Sequence, residues 1–378
     1  MNELWDAIIV GAGPAGASAA YFLGEKGLRA LVLEREALPR EKPCGGAVPR
    51  SALSRFPFGF EPVIEGAVTT VRCAWQEAEK TIPIPDASVL MVRRREFDAY
   101  LISRAQAEVI DRTRVVKAVP QYDRVTVSAE DGRTWAGRYL LLADGCASAL
   151  ARGLGLGLRR AGIPTLAADV PLSQVKGGWR GCAWLQFGAL PGGYLWAFPK
   201  REHLSVGIVD FRRRGRPLRG IFEAEMARMG ISLDGVHVRG YPLPVYAGRQ
   251  AVGRGRVLLL GDAAGLVDPF IGEGIRYALH SGQVAAKTVA AGELAEAYAR
   301  RVAREMLPSL ARAREVAALF YRFPRLAYNV ATYDQRGAEW VTGVLSEAHD
   351  YLEARIRLPA LVAGYFIRQA RARLRPGD

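Results

Sequence analysis

The sequence predicts an α/β protein: a Rossmann-like nucleotide-binding domain, an inserted β-rich domain and a helical C-terminal region. Three observations predict it. A βαβ pattern opens the chain, two apolar runs far downstream each end in Asp, and aromatic strand-like sequence lies between those two runs. The interleaving divides the nucleotide domain into residues 1–67, 93–160 and 250–291. It places the β-rich, substrate-binding domain at 68–92 and 161–249, and helix at 292–378.

The first element is the run Trp5-Asp6-Ala7-Ile8-Ile9-Val10, apolar and β-rich. A G-x-G-x-x-G turn follows at Gly11-Ala12-Gly13-Pro14-Ala15-Gly16, then a small-residue helix towards Gly27, then Leu31-Val32-Leu33-Glu34. This is a βαβ unit of about thirty residues. Gly11 permits the tight turn out of the strand, Gly13 lets a pyrophosphate approach the backbone, and Gly16 lets the helix pack close to the sheet. Pro14 and Ala15 open the helix, whose free N–H groups and positive dipole end hold phosphates. Glu34, with Arg35 beside it, falls where a carboxylate accepts hydrogen bonds from an adenosine ribose, and its charge repels a 2′-phosphate. The unit alone does not separate FAD from NAD.

The 378 residues are 50% apolar and 24% charged, which suits two or three packed domains and excludes a disordered chain. The net charge of +14, carried mostly by arginine, fits either an arginine-rich composition or an anionic partner such as a membrane surface or phosphorylated substrate. Nucleic acid is not expected, because no zinc-finger spacing, ribonucleoprotein motif or long Lys/Arg block is present. Cys44, Cys73, Cys146 and Cys182 lie far apart with no C-x-x-C, so reduced thiols in a cytoplasmic compartment are expected, and no metal site. The stretch Ala7–Gly24 is uncharged for eighteen positions, but its glycines and Pro14 mark the nucleotide turn rather than a membrane span. Neither a signal peptide nor a transmembrane helix is expected.

After Glu34 a polar loop runs from Arg35 to Val48 and holds Lys42-Pro43-Cys44-Gly45-Gly46, a shaped loop rather than a linker. Short strands follow over 68–92, broken by Pro83 and Pro85. A helix comes next, with Phe97, Asp98 and Leu101 on its buried face and Arg94 turned inward. Strands are expected around 113–118, 123–128 and 138–143, the last leading into Ala143-Asp144-Gly145. From 164 to 210 the pattern is strand-like and aromatic, including Tyr194-Leu195-Trp196-Ala197-Phe198-Pro199. A helix over 217–228 and a strand near 236–241 precede the buried strand Val257-Leu258-Leu259-Leu260, which ends in Gly261-Asp262. A glycine-rich loop and a helix from about Gly274 complete the pattern. Parallel strands that end in acids point them at one ligand crevice.

Taken together, Gly11–Gly16 with Glu34, Ala143-Asp144-Gly145 and Gly261-Asp262-Ala263-Ala264 resemble the FAD-dependent oxidoreductases built like p-hydroxybenzoate hydroxylase. The resemblance implies FAD as cofactor, with Arg94 near its pyrophosphate, Asp262 on the ribityl chain and the Asp144-Gly145 turn stabilising the nucleotide region. In Asp268-Pro269-Phe270-Ile271-Gly272-Glu273-Gly274-Ile275, Gly272 and Gly274 let the backbone pass a flat ring. The helix that starts at Ile275 aims its positive end at a reduced flavin.

Two further stretches narrow the likeness to the geranylgeranyl reductase family. Lys42-Pro43-Cys44-Gly45-Gly46 resembles that family's loop, and Tyr194–Pro199 its Y-x-W-x-F-P strand. The likeness runs from residue 5 to about 290. It implies reduction of carbon–carbon double bonds in a geranylgeranyl or other prenyl chain on a lipid, diphosphate or quinone. NAD(P)H or another donor would be the reductant; no second G-x-G-x-x-G serves it. Tyr194, Trp196 and Phe198, with Pro199, would line the substrate cavity, since alternate strand residues share a face. Cys44 would sit by the flavin, alongside Gly45, and gate or protonate the substrate; a bound water is the other candidate. The four histidines fall in no catalytic setting.

Other readings share the fold. A monooxygenase or halogenase would consume NAD(P)H with oxygen, although the chain lacks the hydroxylase form of the flavin loop. A non-redox carotenoid cyclase would give a product of unchanged mass, and a lipid-binding flavoprotein would not turn over. Finally, Pro359 can start a basic amphipathic helix. Leu358, Leu361, Val362, Tyr365 and Phe366 would lie on one face, and Arg368, Arg371 and Arg375 on the other. It is either a packed helix or a peripheral contact with the inner face of the membrane.

Overall fold

The computed structural model describes residues 4–158, 162–212, 215, 217–333, 335–346, 351, 360–365 and 367–368. Strand β1 (Leu4–Val10) passes through the glycine turn into helix α1 (Pro14–Gly24) and returns as β2 (Ala30–Leu33), parallel to β1. These strands show no in-out alternation because both their faces are covered, and Ile8, Ile9, Leu31 and Leu33 are fully buried. Helix α2 (Arg94–Ser103) buries Phe97, Asp98 and Leu101, as its spacing predicts, and Ile102 besides. Strand β3 (Thr134–Leu142) lies parallel to β1 on the side away from β2.

The inserted region supplies β4 (Cys182–Phe187), β5 (Gly193–Pro199), β6 (His203–Asp210) and β7 (Arg239–Leu243). The chain then returns to the first sheet as β8 (Val257–Leu259), parallel to β3, and enters helix α3 (Ile275–Ala290). The nucleotide sheet therefore has the order 253–254, β8, β3, β1, β2, 108–110, with an antiparallel hairpin, 115–120 and 125–129, attached to β3. Helix α3 crosses α1 closely: a Cβ on Gly282 would lie 2.4 Å from the carbonyl oxygen of Ala15. Small residues along α1 permit that approach.

The second sheet has seven strands in the order β7, 163–171, β6, β5, β4, 70–75, 78–83. Its pairs are antiparallel except for β4 beside 70–75. A separate three-stranded sheet joins 47–49, 89–92 and 64–68, and so draws on both sides of the boundary expected at 67/68. The expected helix is present as Leu218–Arg228.

Helices α4 (Leu307–Arg322) and α5 (Pro324–Tyr333) belong to the helical C-terminal region. Of the expected final helix, Leu358, Pro359, Phe366, Arg371 and Arg375 lie outside the described residues. Residues 360–365 are helical, and Leu361, Val362 and Tyr365 pack with Ala313, Val316, Val330 and Trp340. Their apolar face is thus taken up by protein. Among the described residues no helix is long and apolar enough to cross a membrane, and no cluster could hold a metal. All four cysteines are free thiols.

Candidate active site

A cavity of about 940 Å³ runs from the carboxyl ends of β1, β2 and β3 to the inner face of the seven-stranded sheet. One arm is polar and the other apolar.

The polar arm is built around the glycine turn. Gly11 adopts φ +102°, open to glycine at little cost, and a Cβ on Gly16 would lie 1.9 Å from the Gly11 carbonyl oxygen. Gly16 is thus a packing requirement and does not itself line the cavity. Gly13 is different. Its backbone is ordinary (φ −73°, ψ −177°), and a Cβ there would meet only the tips of Arg40 at 3.2 Å and Arg94 at 3.9 Å. The space over the start of α1, beside Pro14 and Ala15, is open and flanked by two guanidinium groups.

Arg94 donates two 2.8 Å bonds to Asp98, and Arg40 pairs with both Glu34 and Asp98 at 3.3 Å. Burial disfavours the charge on Arg94, but the Asp98 carboxylate outweighs it and holds the guanidinium firmly ionised. Glu34 accepts from the backbone N–H of Ala12 at 2.8 Å and of Glu36 at 3.1 Å, which ties β2 to the turn. Arg35 is exposed at the rim beside Glu36. Asp144 precedes Gly145 (φ +87°) and buries an Oδ1 that has no partner among the described residues. Burial pushes its carboxyl up to about 6, with the Ser148 hydroxyl opposing.

Asp262 accepts a 2.8 Å hydrogen bond from the Tyr241 hydroxyl, and the Lys42 ammonium lies 3.6 Å from the centre of the Tyr241 ring. Burial pulls Lys42 down to about 8; Asp262 opposes this, while Arg94 and Arg40 reinforce it. A clasp from β7 of the inserted domain therefore closes on the acid expected at the ribityl chain. Gly261 (φ +52°) packs against Ala15 and Ala278 behind the cavity wall. In the loop before α3, Asp268 Oδ1 accepts from Phe270 N at 2.7 Å and Ile271 N at 3.0 Å. This turns Gly272, Gly274 and Ile275 into the cavity wall, where the Tyr194 hydroxyl donates to the Ile271 carbonyl.

The apolar arm begins at that tyrosine. Tyr194, Trp196 and Phe198 share one face of β5, with successive ring centroids 6.4 Å apart. The Trp196 ring rests on β6 at Gly207, where a Cβ would come within 2.0 Å of it. Ala183, Leu185 and Phe187 of β4 extend this wall, and Val68, Val89 and Met91 also line the arm. Pro199 is buried and does not line the cavity.

Cys44 lies where the arms meet. Its Sγ accepts from Gly46 N at 3.3 Å, and the Ser205 hydroxyl donates to its carbonyl at 3.2 Å. A Cβ on Gly45 would sit 2.8 Å from the Phe198 ring and 3.2 Å from Trp196 Nε1, so this loop rests directly on the aromatic wall. Behind it the buried Lys200 ammonium donates to the carbonyls of Gly45 (2.7 Å), Val92 (3.1 Å) and Gly46 (3.4 Å). Burial lowers Lys200 to about 8, against the pull of Cys44, Asp169 and Glu65.

Sequence reasoning misses Arg40, Lys42, Tyr241 and Lys200 as site residues. The spacing Arg40-x-Lys42 after Glu34 is a readable hint of phosphate binding. Nothing local marks the other two. The residues present fit FAD: open backbone over a helix start, flanking cations, an orphaned carboxylate oxygen and a glycine loop beside the aromatic wall.

The pyridine nucleotide-disulphide oxidoreductase family matches residues 5–172. A geranylgeranyl diphosphate reductase of Oryza sativa is 30% identical over 75% of this chain and 66% of its own length. A menaquinone reductase of Mycobacterium tuberculosis is 29% identical, covering 86% of each chain. Among solved structures, a geranylgeranyl bacteriochlorophyll reductase-like protein from Thermoplasma acidophilum superposes with a TM-score of 0.67 at 21% identity, over 91% of this chain and 90% of that one. A flavin-dependent brominase superposes equally well, with a TM-score of 0.70 at 18% identity over 98% and 100% of the two chains. The superpositions therefore speak for the fold, and the sequence relatives for the branch. With FAD as its cofactor, the chain belongs to the geranylgeranyl reductase family of FAD-dependent oxidoreductases.

Proposed function

We propose that the protein saturates carbon–carbon double bonds of a geranylgeranyl-type prenyl chain carried on a lipid, a diphosphate or a quinone. The observation that carries this reading is the apolar arm. Tyr194, Trp196 and Phe198 form an aromatic wall that opens into the nucleotide arm, and most of the other residues around it are Val, Ala, Leu and Met. A small polar aromatic substrate would find little to hydrogen-bond there.

FAD, when bound, supplies the hydride, replenished from NAD(P)H or another donor. Every other requirement falls on the chain. Saturation adds hydride to one alkene carbon and a proton to its neighbour. An isolated alkene offers no polar handle, so the aromatic wall must orient it by shape and keep water out. Cys44 is the residue we assign to gate or deliver the proton. Gly46 N–H fixes its sulfur, Ser205 and Lys200 hold its loop, and Gly45 rests on the substrate wall. Arg40, Arg94 and Lys42 would bear on the cofactor's phosphates, and Asp262 on its ribityl chain. We place the protein in the cytoplasm, at the inner face of the membrane that holds such substrates.

The test is anaerobic. Protein reduced with dithionite should be reoxidised by geranylgeranyl diphosphate or a prenylated quinone, with a product heavier by whole hydrogen pairs in mass spectrometry. If no prenyl compound reoxidises it while oxygen plus an aromatic substrate does, the monooxygenase or halogenase reading replaces this one.

A further inference from the structure

Towards α4 and α5, a layer of rings separates the apolar arm from the surface. Phe187 lines the cavity and contacts the rings of Tyr194, Phe320 and Tyr328 at centroid distances of 5.8, 5.5 and 6.2 Å. Tyr328 lies 5.7 Å from Trp75, and Trp75 belongs to a second hollow, of about 500 Å³, on the outside. Two short stretches face both ways. Phe187 looks into the cavity and the next residues, Gly188–Pro191, line the hollow; Tyr321 lines the cavity and Phe323–Leu326 the hollow.

The outer face is apolar and basic. Leu319 and Phe323 are 50% and 53% exposed, and Arg322 and Arg325, also exposed, flank Phe323. Arg212 lies against Gly192 at the other edge, next to Pro191. Residues 316–333 contain no acid; the exposed acids nearest in sequence are Glu315, paired with Arg312, and Glu77 and Glu79, which follow Trp75. Near the C-terminus Leu361, Val362 and Tyr365 are packed inward and Ile367 is exposed, whereas this corner sets Leu319 and Phe323 beside two exposed arginines.

We propose that the α4–α5 corner docks on an anionic phospholipid bilayer, and that the hollow is the portal through which a membrane-dissolved prenyl chain reaches the cavity. The inference rests on the prenyl-reductase reading. Large exposed apolar side chains ringed by arginine suit the headgroup boundary, where the rings enter the acyl region and the guanidinium groups meet phosphate. Passage needs rotation of Phe187 and Phe320, which meet ring against ring, and of Tyr328, whose hydroxyl must also release the carbonyls of Cys73 (3.1 Å) and Ala78 (3.3 Å).

The experiment uses the full FAD-loaded protein and phosphatidylcholine vesicles with and without phosphatidylglycerol. A variant combining Arg322→Glu, Phe323→Ser and Arg325→Glu should bind the anionic vesicles about tenfold or more weakly. It should lose turnover of vesicle-embedded prenyl quinone in proportion, yet keep wild-type turnover of geranylgeranyl diphosphate in detergent solution. Independently, anionic vesicles should slow hydrogen exchange across 319–326 of the wild type, a readout that survives even if the variant folds poorly. Wild-type vesicle binding by the variant, or no protection at 319–326, overturns the proposal. So does a change in oligomeric state on substitution, which would make the corner a contact between copies. If the wild type reduces no prenyl compound in either form, the prenyl-reductase reading fails instead, while vesicle binding and exchange still judge the docking surface.

Discussion

Two glycines of one motif should fail in opposite ways when substituted. Gly16→Ala places a methyl 1.9 Å from the Gly11 carbonyl oxygen, a backbone atom that cannot swing aside. The collision should cost about 3 kcal/mol, the upper end for overpacking, which is about 4 °C of Tm for a chain this long. Gly13→Val meets nothing nearer than 3.2 Å at its Cβ, and its φ of −73° with extended ψ suits valine. The apoprotein should therefore melt within about a degree of wild type, well inside the surface-substitution range. The isopropyl group instead fills the open space over the helix start where a pyrophosphate must lie. Wild type at a hundredfold excess of FAD over Kd gains about 2.7 kcal/mol, or about 3 °C, and Gly13→Val should gain none of it. Melting scans with and without FAD, alongside flavin absorbance of the purified proteins, separate the two effects. Full flavin occupancy in a folded Gly13→Val protein would refute the assignment of this turn to the cofactor. An unshifted apo Tm for Gly16→Ala would refute the packing argument.

Other expectations follow from single contacts. Arg40→Ala should weaken FAD binding about tenfold with little loss of stability, because Arg94 still neutralises Asp98. Arg94→Ala leaves much of a buried carboxylate's charge uncompensated and should cost about 3 kcal/mol in urea melts as well; equal behaviour of the two would contradict the division of labour. Trp196→Ala removes a buried aromatic wall worth about 2 kcal/mol of burial, so substrate-dependent reoxidation should slow about tenfold or more while flavin reduction by dithionite is unchanged. Lys200 has a folded pKa of about 8, below its unfolded 10.5, so the unfolded chain binds more protons between those values. Its contribution to stability therefore rises as pH climbs from 8 to 10.5. The stability of wild type relative to Lys200→Met should increase across that window in urea melts, and a flat difference would argue against the buried ammonium.

Much of the polar arm was legible in the sequence because its parts act locally. The turn, the helix start and the acid at the end of β2 lie within thirty residues or so, and Gly16 answers to a contact inside that unit, although Gly11 faces Ala143 and Gly13 faces Arg40 and Arg94. The face shared by Tyr194, Trp196 and Phe198 follows from strand period alone. Boundaries were less legible where long-range pairing sets them. The strand expected at 113 starts at Val115, because Thr113 N–H is taken by the Glu34 carbonyl at 2.7 Å. The strand expected near 236 starts at Arg239, because its partner at 163–171 pairs Ala167 with Arg239 and Ile163 with Leu243. Lys200 was invisible for the same reason: the carbonyl it holds most tightly is 155 residues away, and no local pattern distinguishes a buried lysine from a solvated one.

What separates this chain from other flavoproteins of the same fold lies in the join between segments. The glycine turn, Asp144 and Asp262 are the residues we propose for the flavin, and a brominase superposes as well as a reductase-like protein does. The proposed substrate side is built by contacts between distant segments. Gly207 on β6 has no side chain, so the Trp196 ring can rest against the strand; Gly45 in the N-terminal loop has none, so that loop can rest on Phe198 and Trp196. Lys200, following the aromatic strand, then fastens the loop from behind. Each absent Cβ moves a flat apolar surface towards the cysteine loop and away from solvent. On the proposed reading, substitutions at these two glycines and the buried lysine should change which substrate is accepted before they change whether flavin binds.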